Sequence, residues 1–268
     1  MQGTVCLMKG TRMNILCVGD VVGTAGCTHL AKVLPAVKRR FEVDVCLVNG
    51  ENSADGNGIT CVSAENLFNS GADAITTGNH VFRRPEVYEL IDRKVGVLRP
   101  ANYPPSAPGS GVFVVDKGRY RVAVINLLGV VYMEPLACPF ETLDTILQTP
   151  DLPACRVVDF HAEATAEKKA LAYYADGRVS AVLGTHTHVQ TADEQILPNG
   201  TAFISDIGMT GPVQSVLGIR PELAVEKMKG KLPVRFSVAE GPCRMNAVLL
   251  NIDSKTGKTQ SIERVNIE

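Results

Sequence analysis

Short apolar, β-branched runs alternate with segments of helical periodicity along the first hundred residues. Four of these runs predict buried strands: 14–18, 43–48, 72–76 and 95–98. Helices are predicted between them, over 28–40, 60–70 and 85–92. Thr60 is a suitable N-cap for the second helix, and Gly71 should end it. This alternation favours parallel strands that are covered by helices.

The pattern changes after residue 100, where Pro, Gly and Ser interrupt the chain. A hairpin is predicted from the runs 112–115 and 121–127. Further strands are expected over 157–161, 179–183, 195–197 and 201–204, and further helices over 140–148 and 163–175. The segment 234–267 predicts three more strands. The whole pattern is typical of the α/β class.

Length and composition fit a single domain. The chain has 268 residues, of which 45% are hydrophobic, so a sizeable core can form. The repeating pattern begins at Met13, which predicts an N-terminal extension over 1–12 and one domain over 13–268. The extension lacks the apolar segment of a secretory signal, and no apolar run approaches the roughly 20 residues that span a membrane. We therefore expect a cytoplasmic protein with no membrane partner.

The net charge and the spacing of the cysteines bear on which ligands and which cellular compartment are expected. The formal net charge is −1, and the basic residues form no long block. An extended nucleic-acid surface is therefore not expected, although a small phosphorylated ligand needs only a local positive site. The eight cysteines are scattered without a Cys-x-x-Cys pair, which predicts free thiols in a reducing compartment. Whether the chain forms a homo-oligomer stays open.

Two histidines follow the predicted strand 179–183. His186 and His188 come just after Gly184, and they are two of only five histidines in the chain. Residues i and i+2 of an extended segment point to the same side, so both imidazoles can face one point. Imidazole is a good ligand for Zn, Fe, Mn and Ni. The alternative is a pair of ordinary surface histidines.

Other predicted strands end in the same manner. Their ends carry Asp20, Glu51 with Asn52, Asn79 with His80, and His161. Ligand sites of open α/β sheets lie beyond the carboxyl ends of the strands, so these side chains should lie close together. Each has a simpler explanation: a helix cap at 20, turn residues at 51, 52 and 79, and a core histidine at 161. The repeated placement favours a mixed nitrogen and oxygen site for two divalent transition-metal ions.

At these residues the chain resembles the calcineurin-like metallophosphoesterase superfamily, and more narrowly the YmdB-type family of bacterial phosphodiesterases. The motifs are Gly19-Asp20-Val21-Val22-Gly23, Asn49-Gly50-Glu51-Asn52-Ser53-Ala54, Thr77-Gly78-Asn79-His80-Val81, Asp159-Phe160-His161-Ala162-Glu163, Gly184-Thr185-His186-Thr187-His188 and Ser205-Asp206-Ile207-Gly208-Met209. Together with the strand that starts at Asn14, they cover nearly the whole chain. The resemblance implies a two-sheet α/β sandwich flanked by helices, which is the calcineurin-like metallophosphoesterase fold.

The resemblance also implies a role for each site residue. Asp20 and His188 would hold a first ion, with Asn52 beside it. Asn79, His161 and His186 would hold a second ion, and Glu51 would bridge the two. His80 would stay off the metals as the catalytic general acid. The ions would be iron or manganese, with zinc as an alternative.

Two positions depart from the wider superfamily. A histidine usually stands two residues after the first aspartate, where this chain has Val22. The bridging residue is usually aspartate, where this chain has Glu51. The YmdB-type family shares both changes, so the metals of the wider superfamily do not transfer to this chain.

The implied activity is metal-dependent hydrolysis of small phosphodiesters, with 2′,3′-cyclic nucleotides as the substrate. A hydroxide shared by the ions would attack phosphorus, and His80 would protonate the leaving oxygen. Two alternatives stay open: a phosphomonoesterase acting on a nucleotide or a phosphoprotein, and a non-catalytic regulatory protein that binds metal. The segments 100–110 and 129–140 could border the pocket, and Arg83 or Arg84 could meet a phosphate.

Overall fold

The computed structural model describes residues 12–93 and 95–268. Its strands are β1 (Arg12–Val18), β2 (Asp20–Val21), β3 (Val45–Asn49), β4 (Ala74–Thr76), β5 (Val112–Asp116), β6 (Arg121–Leu128), β7 (Cys155–His161), β8 (Ala181–Thr185), β9 (Gln195–Ile196), β10 (Ala202–Ile204), β11 (Met209–Pro212), β12 (Cys243–Asp253) and β13 (Thr259–Ile267). Its helices are α1 (Gly23–Arg40), α2 (Cys61–Ser70), α3 (Val87–Asp92), α4 (Pro139–Leu147), α5 (Thr165–Tyr174) and α6 (Pro221–Gly230).

The strands form two sheets. Sheet A has the order β2-β11-β12-β1-β3-β4, with β13 paired to β12, and sheet B has the order β5-β6-β7-β8-β10-β9. In sheet A, β1, β3 and β4 are parallel. In sheet B, β6, β7, β8 and β10 are parallel. Each sheet therefore has one edge at which several strand carboxyl ends meet.

The two sheets pack face to face, and β1 shows how one strand serves two layers. Ile15 and Cys17 lie in the core between the sheets, whereas Leu16 and Val18 pack in the apolar layer under α1 and α2. The alternation arises because successive residues of a strand point to opposite faces. A third apolar layer lies between sheet B and helices α4 and α5. The predicted two-sheet α/β sandwich flanked by helices is confirmed.

The predicted ends of α2 are also confirmed. The hydroxyl of Thr60 accepts a hydrogen bond from the backbone N–H of Ser63 at 3.2 Å, and the hydroxyl of Ser63 accepts one from the N–H of Thr60 at 3.0 Å. Gly71 ends the helix with φ of 116°, a conformation that favours glycine. The helix therefore begins and ends where its own sequence satisfies the terminal backbone groups.

Several element predictions were wrong. Helix α1 begins at Gly23 rather than at 28, with no side-chain cap to signal its start. The segment 95–98 forms only one bridge, between Val97 and Ile75. The segment 234–267 holds two long strands rather than three, and β11 and α6 were not predicted. Pro233 and Pro242 flank the missing strand, and proline cannot donate to a ladder of strand hydrogen bonds.

Three further predictions concern the chain as a whole. No helix within the described residues is both long and apolar enough to cross a bilayer. The seven cysteines of the described ranges are all free, as predicted, and four of them are buried. Cys6 and the predicted extension lie outside the described residues, except for Arg12, which begins β1.

Candidate metal centre

The predicted site residues lie where the strand carboxyl ends of both sheets meet. Sheet A leads to Asp20 through β1, to Glu51 through β3 and to Asn79 through β4. In sheet B, β7 ends at His161 and β8 is followed by His186. All eight predicted residues belong to one connected set of side-chain contacts: Asp20, Glu51, Asn52, Asn79, His80, His161, His186 and His188.

His161 is the centre of one group of ligand atoms. Its Nε2 lies 3.0 Å from Oε1 of Glu51 and 3.1 Å from Oδ1 of Asn79. Nδ1 of His186 is 3.1 Å from the same nitrogen. The side chains of Glu51 and His161 are essentially inaccessible to solvent, at 1% and 0% exposure. Two oxygens and two ring nitrogens therefore converge on one buried point.

The hydrogen bonds behind these rings show that the group fits a cation. The Thr185 hydroxyl donates its proton to Oδ1 of Asp159 at 2.6 Å, so it accepts from Nδ1 of His161 at 2.9 Å. Nε2 of His186 lies 3.1 Å from a Glu163 oxygen and donates to it. The remaining nitrogens, Nε2 of His161 and Nδ1 of His186, lie 3.1 Å apart, and Nε2 of His161 also faces the oxygens of Glu51 and Asn79. One proton cannot satisfy four such atoms, whereas a divalent transition-metal ion can.

A second group forms around Asp20. Its Oδ1 lies 3.6 Å from Nε2 of His188 and 3.4 Å from Nδ2 of Asn52. Nδ1 of His188 donates to the Leu217 carbonyl at 3.0 Å, so Nε2 is the ring nitrogen that faces Asp20. Nδ2 of Asn52 is also 3.3 Å from Oε1 of Glu51. Glu51 therefore contacts both groups.

His80 lies at the edge of the centre. Its Nδ1 is 2.9 Å from Oδ1 of Asn52 and 3.2 Å from Oε1 of Glu51, and both oxygens are acceptors. Nε2 of His80 has no hydrogen-bond partner within residues 12–93 and 95–268. The side chain is 27% exposed, in contrast to the buried His161. The ring is thus oriented through one nitrogen, and the other nitrogen is left for a ligand.

Burial and the neighbouring histidines have opposite effects on the pKa values of the two site carboxylates, Glu51 and Asp20. Burial disfavours the ionised form of Glu51, but His161 and His80 outweigh it and hold the pKa of its carboxyl well below the usual value. Burial of Asp20 is likewise outweighed by His188, and the pKa of Asp20 is lowered. Two ionised carboxylates therefore lie in a region of low solvent access, which concentrates negative charge. A cation between them would offset that charge.

The pKa values of two imidazoles in the centre are shifted in opposite directions. Burial disfavours the charged form of His161, but Glu51 and Asp20 outweigh it and raise its pKa to about 9. Burial and the charge of His161 lower the pKa of His186 to about 4. His186 is therefore neutral at neutral pH, which is the form in which imidazole binds metals.

The backbone of the two clustered histidines contradicts the extended geometry that we predicted. Strand β8 ends at Thr185, and φ is 96° at His186 and 63° at His188. Thr187 between them donates its N–H and its hydroxyl to Oδ2 of Asp206, at 3.0 and 2.6 Å. Lys168 lies 3.0 Å from the same oxygen, and this ion pair is buried. The turn sends His186 to one group of ligand atoms and His188 to the other.

Gly78 shows how closely the chain passes the centre. A Cβ atom at this position would lie 2.2 Å from Cδ2 of His161 and 2.3 Å from Oε2 of Glu51. Real Cβ atoms do not approach other atoms so closely, so any larger residue would displace these two side chains. The glycine before Asn79 is therefore a steric requirement of the site.

The simpler explanations at 20, 51 and 52 do not hold. The cap position of α1 is Val22, and Asp20 instead accepts from the backbone N–H of His186 at 3.2 Å. Glu51 and Asn52 are 0% and 3% exposed, so they are not solvated turn residues. His161 is buried, but its Nε2 faces Glu51 and Asn79 rather than apolar core.

Sequence reasoning missed the residues that support the ligands. They are Asp159, Glu163, Lys168, Thr185 and Asp206. Four of them lie inside the family motifs, which was a signal that they matter but not of what they do. Lys168 lies in a helix and had no signal in the sequence.

Comparison with known proteins identifies the family to which the chain belongs. The family model described as YmdB-like protein matches residues 16–265. A relative from Bacillus subtilis (strain 168), named 2′,3′-cyclic-nucleotide 2′-phosphodiesterase, is 45% identical over 94% of this chain and 96% of its own. A crystal structure from Mycoplasma pneumoniae, described as a novel phosphatase, has a TM-score of 0.90 at 33% identity and covers 96% of this chain and 93% of that chain.

A more distant structure shares the fold alone. The Haemophilus influenzae NAD nucleotidase has a TM-score of 0.59 at 12% identity, over 96% of this chain and 56% of that chain. The family model and the Bacillus subtilis relative, in contrast, each match nearly the whole chain. The chain therefore belongs to the YmdB-like protein family.

Proposed function

We propose that this protein is a metal-dependent phosphodiesterase that hydrolyses 2′,3′-cyclic nucleotides at the bond to the 2′ oxygen. The observation that carries the proposal is the convergence of electron-pair donors from Glu51, Asn79, His161 and His186, with His80 beside them. Membership of the YmdB-like family and the activity named for the Bacillus subtilis relative support the substrate class. Opening this bond leaves a nucleoside 3′-phosphate.

The two groups of ligand atoms would hold two ions. Asn79, His161 and His186 would bind one, Asp20 and His188 would bind the other with Asn52 beside it, and Glu51 would bridge them. Mixed imidazole and oxygen donors suit iron or manganese, with zinc as the alternative. When bound, the ions offset charge on the phosphoryl oxygens and make a water molecule more acidic.

His80 would serve as the general acid. Its Nδ1 donates to Oδ1 of Asn52, which fixes the ring, and its Nε2 has no partner in the described chain. A leaving 2′ alkoxide needs a proton, and a positioned histidine can supply it from Nε2. His80 would act on the leaving oxygen without binding an ion.

The test is hydrolysis of 2′,3′-cyclic AMP by protein stripped with a chelator and reloaded with Mn²⁺, Fe²⁺ or Zn²⁺. We expect metal-dependent formation of adenosine 3′-phosphate, identified by chromatography. His80→Ala should keep its metal content and lose about 10²–10⁴ in rate. His186→Ala should lose metal, measured by elemental analysis. His29→Ala is the matched control, because His29 lies on α1 and its Nε2 is 3.2 Å from the carbonyl of Ile267 rather than at the centre.

Each outcome decides between the candidate functions. Release of inorganic phosphate from adenosine 3′-phosphate, faster than opening of the cyclic diester, would favour the phosphomonoesterase. A metal-loaded protein that turns over neither substrate would favour the regulatory protein. Full metal content in His186→Ala would contradict the assignment of His186 as a metal ligand. Normal turnover by His80→Ala would show that His80 is not the general acid.

A further inference from the structure

A cleft of about 350 Å³ opens beside the metal centre. It is lined by Asn79 and His186 from the centre and by Arg83, Tyr132, Met133 and Glu134. Small-molecule sites are typically clefts of about 300–1,000 Å³, so a nucleoside fits this space. The segment 130–134 comes from the connection between β6 and α4. The cleft therefore joins the proposed ligands to side chains that have no part in binding metal.

Tyr132 stands out on this connection. Its side chain is 89% exposed, the most among the large apolar and aromatic residues of the described ranges. The turn that carries it is fixed, because the backbone N–H groups of Val130 and Val131 donate to the carboxylate of Glu167 at 2.9 and 3.2 Å. Glu167 itself is buried in α5. An exposed aromatic ring carried by a fixed turn at the wall of a cleft is suited to stacking on a flat ligand.

Two adjacent arginines near the cleft differ in their contacts. Arg84 donates to the carbonyls of Asn57 and Ala54, at 3.0 and 3.1 Å, and so holds the neighbouring loop. The backbone N–H of Arg83 donates to the carbonyl of His80 at 2.9 Å, but its guanidinium forms no hydrogen bond or ion pair with any residue of 12–93 or 95–268. A guanidinium beside a phosphoester site, with no hydrogen bond or ion pair in the described ranges, can bind the anionic phosphate.

Glu134 and Met133 complete the wall next to Tyr132. A carboxylate repels phosphate but accepts hydrogen bonds from the N–H and O–H groups of a nucleoside. A methionine side chain packs well against aromatic rings. The chemistry of the cleft is therefore divided between an anion-binding arginine and a wall that favours a base and a sugar.

Resting on the proposed function, we infer that this cleft is the nucleoside subsite. Tyr132 stacks on the base, and Arg83 binds the phosphate of the same substrate. The subsite would make the enzyme prefer cyclic nucleotides over phosphodiesters that carry no base. The preference for a substrate with a base would then depend on residues outside the metal centre.

The experiment compares 2′,3′-cyclic AMP with methyl riboside 2′,3′-cyclic phosphate, which lacks only the base. Base stacking on an aromatic ring predicts that Tyr132→Ala raises KM for cyclic AMP by about 5- to 150-fold. The kcat of Tyr132→Ala for cyclic AMP should stay within about twofold of the value for the unmodified protein. Its KM and kcat for the base-free substrate should also stay within about twofold. Tyr132→Phe should behave as the unmodified protein. Arg83→Ala should lower kcat/KM for both substrates by a similar factor, since both carry the phosphate.

Tyr173→Ala is the matched control. Tyr173 is 55% exposed near the end of α5 that is remote from Glu163. Equal effects of Tyr132→Ala on the two substrates, or none on either, would overturn the subsite. If the unmodified protein hydrolyses neither substrate, the proposed function fails, and calorimetric binding of adenosine 3′-phosphate to the metal-loaded protein tests the subsite separately. Weaker binding to Tyr132→Ala would support the subsite, and equal binding would overturn it.

Discussion

The two sheets contribute to the metal centre in different ways. Sheet A contributes mostly oxygens, from Asp20, Glu51 and Asn79, and none of these residues has a positive φ. Sheet B contributes three imidazoles, and two of them, His186 and His188, stand in a turn with positive φ. The sheet B side chains also rest on buried polar partners that do not face the centre: Asp159, Thr185, Lys168 and Asp206.

The difference follows from the chemistry of the ligands. A carboxylate offers two equivalent oxygens on a short side chain, so the end of a strand is enough to position it. An imidazole has two distinct nitrogens, and one of them must be hydrogen-bonded if the other is to present an electron pair. The oxygen side should therefore depend on the ligands themselves, and the imidazole side should also depend on residues that never touch an ion.

The largest effect is expected at Glu51, the carboxylate that contacts both groups. Glu51→Gln removes the charge that faces His161 at 3.0 Å and Asn52 at 3.3 Å. Metal content should fall to a trace and activity by at least about 10³, because metal ions supply several kcal/mol of transition-state stabilisation. Elemental analysis and initial rates measure both quantities. Glu65→Gln, an exposed change on α2, is the control, and full metal content in Glu51→Gln would refute the bridging role.

The second-largest effect is expected at Lys168, whose ion pair with Asp206 supports the turn that carries His186 and His188. Lys168→Met leaves the buried Asp206 carboxylate without its ion-pair partner, which typically costs about 3–5 kcal/mol. The free energy of unfolding in urea should fall by this amount, and metal affinity should fall with it as the turn at 186–188 loosens. Lys169→Met alters the exposed neighbour on the same helix and should change neither quantity. A variant of Lys168 with normal stability would show that the turn does not depend on the ion pair.

The smallest effect is expected from removing one hydrogen bond, the one between Nδ1 of His161 and the hydroxyl of Thr185. Thr185→Val keeps the shape of the side chain but removes the hydroxyl between Asp159 and Nδ1 of His161. Losing such a support typically weakens metal binding by about 10- to 100-fold. Competition with a chelator of known affinity measures the change, and Thr185→Ser should restore binding. Unchanged affinity in Thr185→Val would mean that the ring is held by packing alone.

Much of this arrangement could be predicted from local sequence. The strands that lead to Glu51, Asn79 and His161 were recognisable because apolar β-branched runs end abruptly in polar residues. The ends of α2 followed from Thr60 and Gly71, which satisfy the helix termini within a few residues. The start of α1 and strand β11 have no such local signal and were misplaced or missed. Helix α6 was missed although Pro221 stands at its start and Lys227 and Lys229 lie in its last turn.

The sequence by itself determined which side chains end the strands and which chemical class they belong to, since strand periodicity and residue type are local properties. Only the tertiary structure decided that the edges of two separate sheets meet, and that His186 and His188 face different groups of ligand atoms. Those outcomes depend on contacts between distant residues, such as Lys168 with Asp206 and Thr185 with Asp159. A buried ion pair or a positive φ is stabilised by neighbours far away in the chain, and local pattern carries no information about them.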